Sequence, residues 1–380
     1  MQAIELTRHD PAGATTRFLR VRGQPLKIVT DSPGADGLVS ETFSPQGMLG
    51  VVDSPHEPDP DLTIVDLARD PADIDELLRE AAGAAVPGEY ELTRHYRLPR
   101  YTADTFTVFT LRDVNSDEAA ALIRTEGRVT IVRPRSNLGD RWLTRIIRDA
   151  ATRIAKAEGS LVLHSSAFVH DHGAYLVVGD SGAGKSTTAV ALARLLPSSG
   201  WMGNDRMHLD RRHDAYHVTA CPLPLAINKG SLDVMGITGF GNWSVRAGFP
   251  PPDSDWDRFQ GEDKLKLSSR EVERHLGVKV VPDAPLAGVI LPRVDLAAGY
   301  SLEAASAAYA AEVIARNCFS LDDNLYGEDW LEVPVRRPGA PPSLDAFLEH
   351  LAKLPVLRCT LGGAADVARL AEGVREAARA

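Results

Sequence analysis

The sequence has few cysteines, and their positions argue against two common ways of stabilising a fold. Cys221, Cys318 and Cys359 are odd in number and lie far apart. This spacing fits neither a disulfide framework nor a zinc site, which needs ligands at short intervals. Because unpaired cysteine is among the most often buried residue types, we expect all three to be reduced and mostly buried.

The chain also lacks long apolar runs and basic runs. Nowhere do eighteen apolar residues follow one another, and the start, MQAIELTRHD, has no basic stretch followed by an apolar one. We therefore expect a cytoplasmic protein with no membrane partner. The formal net charge is −10 and the basic residues are scattered, so nucleic acid is not an expected partner either.

The chain does contain enough apolar sequence for a large core. Of its 380 residues, 44% are hydrophobic, and this length predicts two or three domains. Residues 1–135 mix short strand-like runs with turns and include an acidic amphipathic helix at 71–85, which predicts an α+β accessory domain. The runs at 90–98, 105–112 and 128–134 alternate as half-buried antiparallel strands do.

A second domain is predicted at 136–332, and it begins with a helix at 140–158. Further along, the sequence predicts a buried strand stopped by Pro292 and an alanine-rich helix at 302–317. Residues 333–380 read as a linker followed by a mainly helical C-terminal segment.

Residues 179–186, GDSGAGKS, fit the G-x-x-x-x-G-K-[ST] pattern. In such a loop, glycines let successive backbone N–H groups turn toward phosphate oxygens, a lysine reaches the outer phosphates and a hydroxyl ligates magnesium. The run AYLVV leads in as a strand, and a helix leads out and stops at Pro197. A glycine-rich turn is the alternative, but this context favours ATP and Mg²⁺ as cofactors. The predicted nucleotide contacts are Gly179, Asp180, Ser181, Gly182, Ala183, Gly184, Lys185, Ser186 and Thr187.

Two strand-like runs precede this loop, SSAFV and AYLVV, and the letters HDHG between them predict a β-hairpin. In small GTPases a helical crossover takes this place. A histidine, a hairpin and then G-x-S-G-x-G-K-S resemble the HPr kinase/phosphorylase family over about residues 160–320. The pattern is nearest to biosynthetic and lasso-peptide-type kinases. The resemblance implies an α/β fold with an HPr-kinase-like core, and a homo-oligomer.

The resemblance also implies roles for single residues. His164 matches the active-site histidine of the family, Lys185 the phosphate-binding lysine, and Ser186 with Asp205 the holders of Mg²⁺. The family has two adjacent aspartates, of which the first takes the proton from the substrate hydroxyl. This sequence has Asn204 there, which cannot accept a proton. A kinase can tolerate a weak base, because its loose transition state depends mostly on positioning and charge neutralisation, and Asp205 could take the role over.

Purely structural roles would also explain these residues. His164 can be a strand-edge histidine bonded to backbone, and Asn204 with Asp205 can simply cap a strand end. Further on, the resemblance places Glu262, Asp263 and Lys264 toward the nucleotide or the acceptor, and Arg293 toward phosphate charge. A charged loop and a solvated helix start explain the same letters.

Two functions fit these residues. The first is an ATP-dependent kinase that transfers the γ-phosphoryl group to a hydroxyl of a peptide, a protein or a small molecule. The second is a nucleotide-binding sensor or scaffold that has lost transfer activity, which Asn204 favours. A transporter-type ATPase is not expected, because the chain has neither an L-S-G-G-Q signature nor four apolar residues ending in Asp-Glu.

Overall fold

The computed structural model describes residues 9–54, 59–93, 96–112, 118–240, 243, 264–322 and 329–378. The chain is mixed α/β and divides into two compact units, each with a nine-stranded sheet. The first unit comprises Met1–Gln46, Gly50–Glu158 and Asp322–Gly339, and the second Gly47–Leu49, Gly159–Leu321 and Ala340–Ala380. The sequence grouped 136–158 with the second domain, whereas these residues lie in the first unit.

The elements of the first unit follow in chain order. Its strands are β1 (Thr15–Val21), β2 (Gln24–Thr30), β3 (Val51–Asp53), β4 (Leu62–Arg69), β5 (Val86–Thr93), β6 (Tyr96–Ala103), β7 (Phe106–Arg112), β8 (Ala119–Thr125) and β9 (Arg128–Pro134). Its helices are α1 (Pro33–Thr42), α2 (Pro71–Ala84) and α3 (Arg141–Ala157). The helices predicted at 71–85 and 140–158 are confirmed as α2 and α3.

The strand order of this sheet is β3-β1-β2-β4-β9-β8-β7-β6-β5. The pairs β2–β4 and β4–β9 are parallel, and the other pairs are antiparallel. The expected antiparallel pairing is confirmed for β7, and β9 is antiparallel to β8 but parallel to β4. The expectation that these strands are half-buried is wrong, because both are buried along nearly their whole length. Both lie inside the sheet, and helices pack against it, so neither face of these strands is left to solvent.

A buried arginine joins the parallel strands of the first unit. Arg133 on β9 donates from Nε to Asp66 Oδ1 at 2.9 Å and from Nη2 to Asp66 Oδ2 at 2.8 Å. The same Nη2 lies 2.8 Å from Asp140 Oδ1, directly before α3. The Thr30 hydroxyl at the end of β2 donates to Asp66 Oδ2 at 2.7 Å. One guanidinium thus ties three parallel strands to the start of a helix.

The second unit has more and shorter elements. Its strands are β10 (Leu161–Leu163), β11 (Ser165–His170), β12 (Gly173–Val178), β13 (Ser199–Gly203), β14 (Met207–Arg212), β15 (Ala215–Ala220), β16 (Leu225–Ile227), β17 (Leu265–Leu267), β18 (Asp283–Val294), β19 (Ser301–Ala304) and β20 (Val356–Leu361). Its helices are α4 (Lys185–Leu195), α5 (Lys229–Val234), α6 (Ser269–Glu271), α7 (Ala307–Arg316), α8 (Phe319–Asp322), α9 (Leu344–Leu351) and α10 (Ala365–Ala377). A π-helical turn, Val272–Leu276, continues α6.

The main sheet of this unit has the order β10-β14-β15-β18-β12-β11-β13, and β20 adds to β18 and carries β19. Strand β18 is parallel to both β12 and β20. It does not stop at Pro292, as the sequence predicted, because Pro292 pairs with Cys359 on β20. Pairing of β18 with β12 ends at Ile290. Pro292 has no N–H to donate, and it lies beyond this point, so no hydrogen bond to β12 is lost there.

Two further predictions about this unit have different outcomes. The helix predicted at 302–317 begins only at Ala307, because residues 301–304 form β19 and the Ser306 hydroxyl caps the helix by accepting from the Tyr309 N–H at 3.3 Å. The regular structure of the C-terminal segment is mainly helical, as predicted, because it contains α9 and α10; it also contributes β20 to the sheet, which the sequence did not predict.

Two predictions from composition can also be compared with the structure. Cys221, Cys318 and Cys359 are buried, and none of the three is in a disulfide, as expected. Within the described part of the chain, no helix combines the length and the apolar content needed to cross a bilayer.

Candidate functional site

The predicted hairpin is confirmed as β11 and β12, which pair antiparallel from Ser165 opposite Val178 to His170 opposite Gly173. The turn residues Asp171 and His172 have φ values of 47° and 70°, as a tight two-residue hairpin turn requires. Gly173 is not in the turn but opens β12. A Cβ at that position would lie 2.5 Å from the Ala287 Cβ, so this glycine serves a close approach to β18.

The segment between β12 and α4, residues 179–184, is called the glycine loop below. Gly182 and Gly184 have φ values of 80° and 87°, a region that favours glycine. A Cβ on Gly184 would lie 2.9 Å from Val294 Cγ2, and one on Gly179 would lie 3.0 Å from the Ala183 Cβ. The loop is therefore tightly folded against the end of β18, and it delivers the chain directly into α4.

Lys185, the first residue of α4, folds back over the glycine loop. Its Nζ donates to the Gly179 carbonyl at 2.7 Å and to the Asp180 carbonyl at 3.1 Å. Burial lowers the pKa of Lys185, the charges of Asp205 and Asp180 oppose this, and the charge of Lys264 adds to it. The ammonium group is held by neutral carbonyls, which an anion at the loop could replace.

The hydroxyls that follow Lys185 are also positioned by neighbours. Ser186 Oγ lies 3.3 Å from the hydroxyl of Ser166, which is fully buried on β11. Thr187 Oγ1 lies 2.6 Å from Ser231 Oγ at the start of α5, and Ser231 donates to Asn228 Oδ1 at 2.7 Å. The first turn of α4 is thus hydrogen-bonded to a strand on one side and to a second helix start on the other.

His164 and Asp205 come together, although 41 positions separate their numbers. His164 Nε2 lies 3.5 Å from Asp205 Oδ1, and Asp205, the second residue after β13, has a φ of 68°. Burial lowers the pKa of His164, and Lys185 lowers it further, while Asp205 raises it. The His164 backbone N–H donates to the Asn317 carbonyl at 2.7 Å, so the plain reading of a backbone-bonded strand-edge histidine is also met in part.

Asn204 does not face solvent beside Asp205. It is only 5% exposed, and its Oδ1 is buried without a hydrogen-bond partner. The adjacent Asp205 side chain is about half exposed. Of the two residues that follow β13, it is Asp205 that has its polar group exposed to solvent.

The remaining predicted contacts are Arg293, Lys264, Glu262 and Asp263. Arg293 lies near the end of β18, but its side chain is 73% exposed and pairs with Asp295 at 2.9 Å. Lys264 precedes β17, and its charge acts on Lys185. Glu262 and Asp263 lie outside the described residues.

Two residues that sequence reasoning missed lie at the site. Arg316, the last residue of α7, has Nη2 3.6 Å from Asp180 Oδ2 in the glycine loop. Phe319 stacks on the ring of His164. A basic residue in the last turn of a helix is common, since it complements the helix dipole, so nothing local marked Arg316 as a site residue.

The polar groups at this site suit the oxygens of a phosphate and a hard cation. They are not arranged as a cage in which protein side chains supply all the ligands of a metal. Within the described residues, no group of three or more His, Cys, Asp or Glu is arranged to hold a metal. Magnesium at nucleotides usually takes only one or two protein oxygens and completes its shell with phosphate and water. The Ser186 hydroxyl and the exposed carboxylate of Asp205 are oxygen donors of that kind.

Comparison with known proteins assigns no family. No family model matches the chain, and the curated proteins contain no significant match.

Proposed function

We propose that this chain is an ATP- and Mg²⁺-dependent kinase with an HPr-kinase-like core, which transfers the γ-phosphoryl group to a hydroxyl of a peptide, a protein or a small molecule. One observation carries the proposal: Lys185 donates to two carbonyls of the glycine loop, and His164 lies 3.5 Å from Asp205 and near enough to Lys185 for that charge to lower its pKa. The glycine loop, a histidine and a carboxylate therefore lie close together, as a phosphoryl-transfer site requires.

The chemistry would divide among these residues as follows. The backbone N–H groups of the glycine loop and Lys185 bind the phosphates of ATP. Ser186 and Asp205 would hold Mg²⁺, which when bound neutralises charge on the phosphate oxygens. The acceptor oxygen bonds to the γ-phosphorus as the bond to the bridging oxygen of ADP breaks, and the acceptor hydroxyl loses its proton. Asp205 is the carboxylate available to take it, because Asn204 is buried and cannot.

The burial of Asn204 also favours a second candidate, a nucleotide-binding sensor or scaffold without transfer activity. A buried amide with an unpartnered oxygen contributes no base and no obvious contact to an acceptor. In that case the glycine loop binds ATP, but no phosphoryl group moves.

The two candidates are separated by incubating the purified chain with γ-labelled ATP, Mg²⁺ and candidate acceptors. A kinase transfers label, and Lys185→Ala and Asp205→Ala each abolish the transfer while Lys353→Ala leaves it unchanged. Asn204→Asp does not reduce transfer, because the family that the sequence resembles has an aspartate at this position. ATP binding without transfer to any acceptor favours the sensor, and a chain that does not bind ATP excludes both.

A further inference from the structure

The C-terminal end of α7 is fixed beside the glycine loop by contacts that do not involve the Arg316 side chain. The Asn317 carbonyl accepts a hydrogen bond from the His164 N–H at 2.7 Å, and the Asn317 amide donates to the Val313 carbonyl at 2.9 Å. The ring of Phe319 stacks on that of His164. The position of the helix end therefore does not depend on the Arg316 side chain. The guanidinium can bind a ligand without moving the helix.

That guanidinium lies between two carboxylates. Its Nη1 donates to Glu312 Oε1 at 3.0 Å, one turn earlier on α7, and its Nη2 lies 3.6 Å from Asp180 Oδ2. The Arg316 side chain is 50% exposed and that of Asp180 is more exposed still. Arginine has more donors than these two contacts use, and its planar shape suits the oxygens of a phosphate group.

Asp180 is an unusual neighbour for a phosphate. It is the second residue of the glycine loop, so a bound polyphosphate would come close to its carboxylate, and two anions repel each other. A phosphate group carries more charge than the carboxylate and more oxygens for the guanidinium to bind. An entering triphosphate would therefore compete with Asp180 for Arg316.

We propose that Arg316 binds the terminal phosphate of a nucleoside triphosphate at the glycine loop, and that Asp180 holds this arginine when no nucleotide is bound. The inference rests on the proposed function, because it requires nucleotide binding at this loop. Arg316 then takes the role at the transferred phosphate that the sequence suggested for Arg293, whose guanidinium pairs with Asp295.

The test compares Arg316→Gln with Asp180→Asn by titration calorimetry with ATP and with ADP. Both changes remove the same ion pair, but the proposal predicts opposite effects. Arg316→Gln weakens ATP binding by about tenfold or more, the range of one charge-assisted bond, and ADP binding much less, because ADP lacks the terminal phosphate. Asp180→Asn leaves ATP binding as tight as in the wild type or tighter, because the competitor for Arg316 is gone.

The matched control is Arg212→Gln. Arg212 is similarly exposed, at 44%, and pairs with Asp283 at 2.7 Å at the opposite end of β18, so its loss leaves ATP affinity unchanged. Arg316→Lys, which keeps the charge and the helix, is measured as well and binds ATP with intermediate affinity; it replaces the glutamine variant if that variant fails to fold.

Equal weakening by Arg316→Gln and Asp180→Asn would show that the ion pair only stabilises the loop, and would overturn the inference. So would an Arg316→Gln variant that binds ATP like the wild type, while the proposed function would stand. A wild-type chain that binds neither nucleotide would overturn both.

Discussion

The imidazole of His164 stacks on the phenyl ring of Phe319, with the ring centroids 5.3 Å apart and the planes inclined by 10°. The stacking fixes the plane of the imidazole, and the backbone bond to Asn317 fixes the residue that carries it. Together they hold His164 Nε2 at 3.5 Å from Asp205. Phe319 is thus a positioning residue in the proposed kinase.

We expect Phe319→Leu to lower kcat by about tenfold, the upper range for one aromatic pair, and to leave ATP affinity within about twofold. Leucine keeps the apolar contact but has no flat ring to orient the imidazole. Steady-state kinetics and ATP binding measure the two effects separately. Phe319→Tyr keeps the ring and serves as the control, and an equal loss of ATP affinity in the leucine variant would place the effect in the loop instead.

Gly184→Ala is expected to abolish detectable ATP binding. The alanine would have to keep a φ of 87° and place its Cβ 2.9 Å from Val294 Cγ2, so the glycine loop must rearrange. Gly236→Ala is the matched control, since that glycine also has a positive φ, 65°, but nothing lies within 4 Å of its added Cβ. It should cost about 1–2 kcal/mol of stability and leave ATP binding intact. Normal ATP binding by Gly184→Ala would argue that the loop is not the phosphate site.

Asp66→Asn should destabilise the first unit by about 3–5 kcal/mol, because it removes the carboxylate that accepts two hydrogen bonds from the fully buried guanidinium of Arg133 and leaves Asp140 as its remaining ion-pair partner. Urea unfolding followed by circular dichroism measures the change. Asp70→Asn is the control, because its side chain is 74% exposed and its arginine partner lies 3.7 Å away. If the two variants unfolded at the same urea concentration, the Arg133 cluster would not support the fold.

Burial raises the pKa of Cys359 to about 12, whereas an ordinary cysteine has a pKa of about 8.5. The folded state therefore favours the neutral thiol, and this contribution to stability is complete below the unfolded-state pKa and is lost as the pH rises toward about 12. We expect a thiol reagent at about pH 8 to label Cys359 only after denaturation. Cys359→Ala removes one labelled thiol in denaturant and none in the folded protein. Rapid labelling of Cys359 in the folded chain would contradict its burial.

The elements that sequence reasoning predicted well depend on local information. The helices α2, α3 and α4 follow from apolar periodicity with a proline or glycine at an end, and the β11–β12 hairpin from two apolar runs around a short turn. Apolar periodicity and turn residues do not indicate which distant segments will pair in a sheet. Nothing near residues 356–361 shows that they will pair with β18, and this pairing is what carries the strand past Pro292.

The same distinction applies to the candidate site. The glycine loop and its lysine form one short motif, so their residues could be named from the sequence. The approach of His164 to Asp205 was expected only through a family resemblance, since His164 directly precedes β11 and Asp205 follows β13, two strands that pair only in the folded sheet. Arg316 and Phe319 were missed because the sheet also decides where α7 ends: Leu163 on β10 forms a bridge to Cys318, which draws this helix end to the loop.

Each unit is built from segments that are not consecutive in the chain, and this affects folding during synthesis. The first unit needs residues up to Gly339 and the second needs β20, which ends at Leu361. Multidomain chains commonly fold their N-terminal domain while the rest is still being synthesised. Here neither unit can be completed until most of the polypeptide has left the ribosome. A nascent chain that stalls before Leu361 therefore carries an unfinished second sheet.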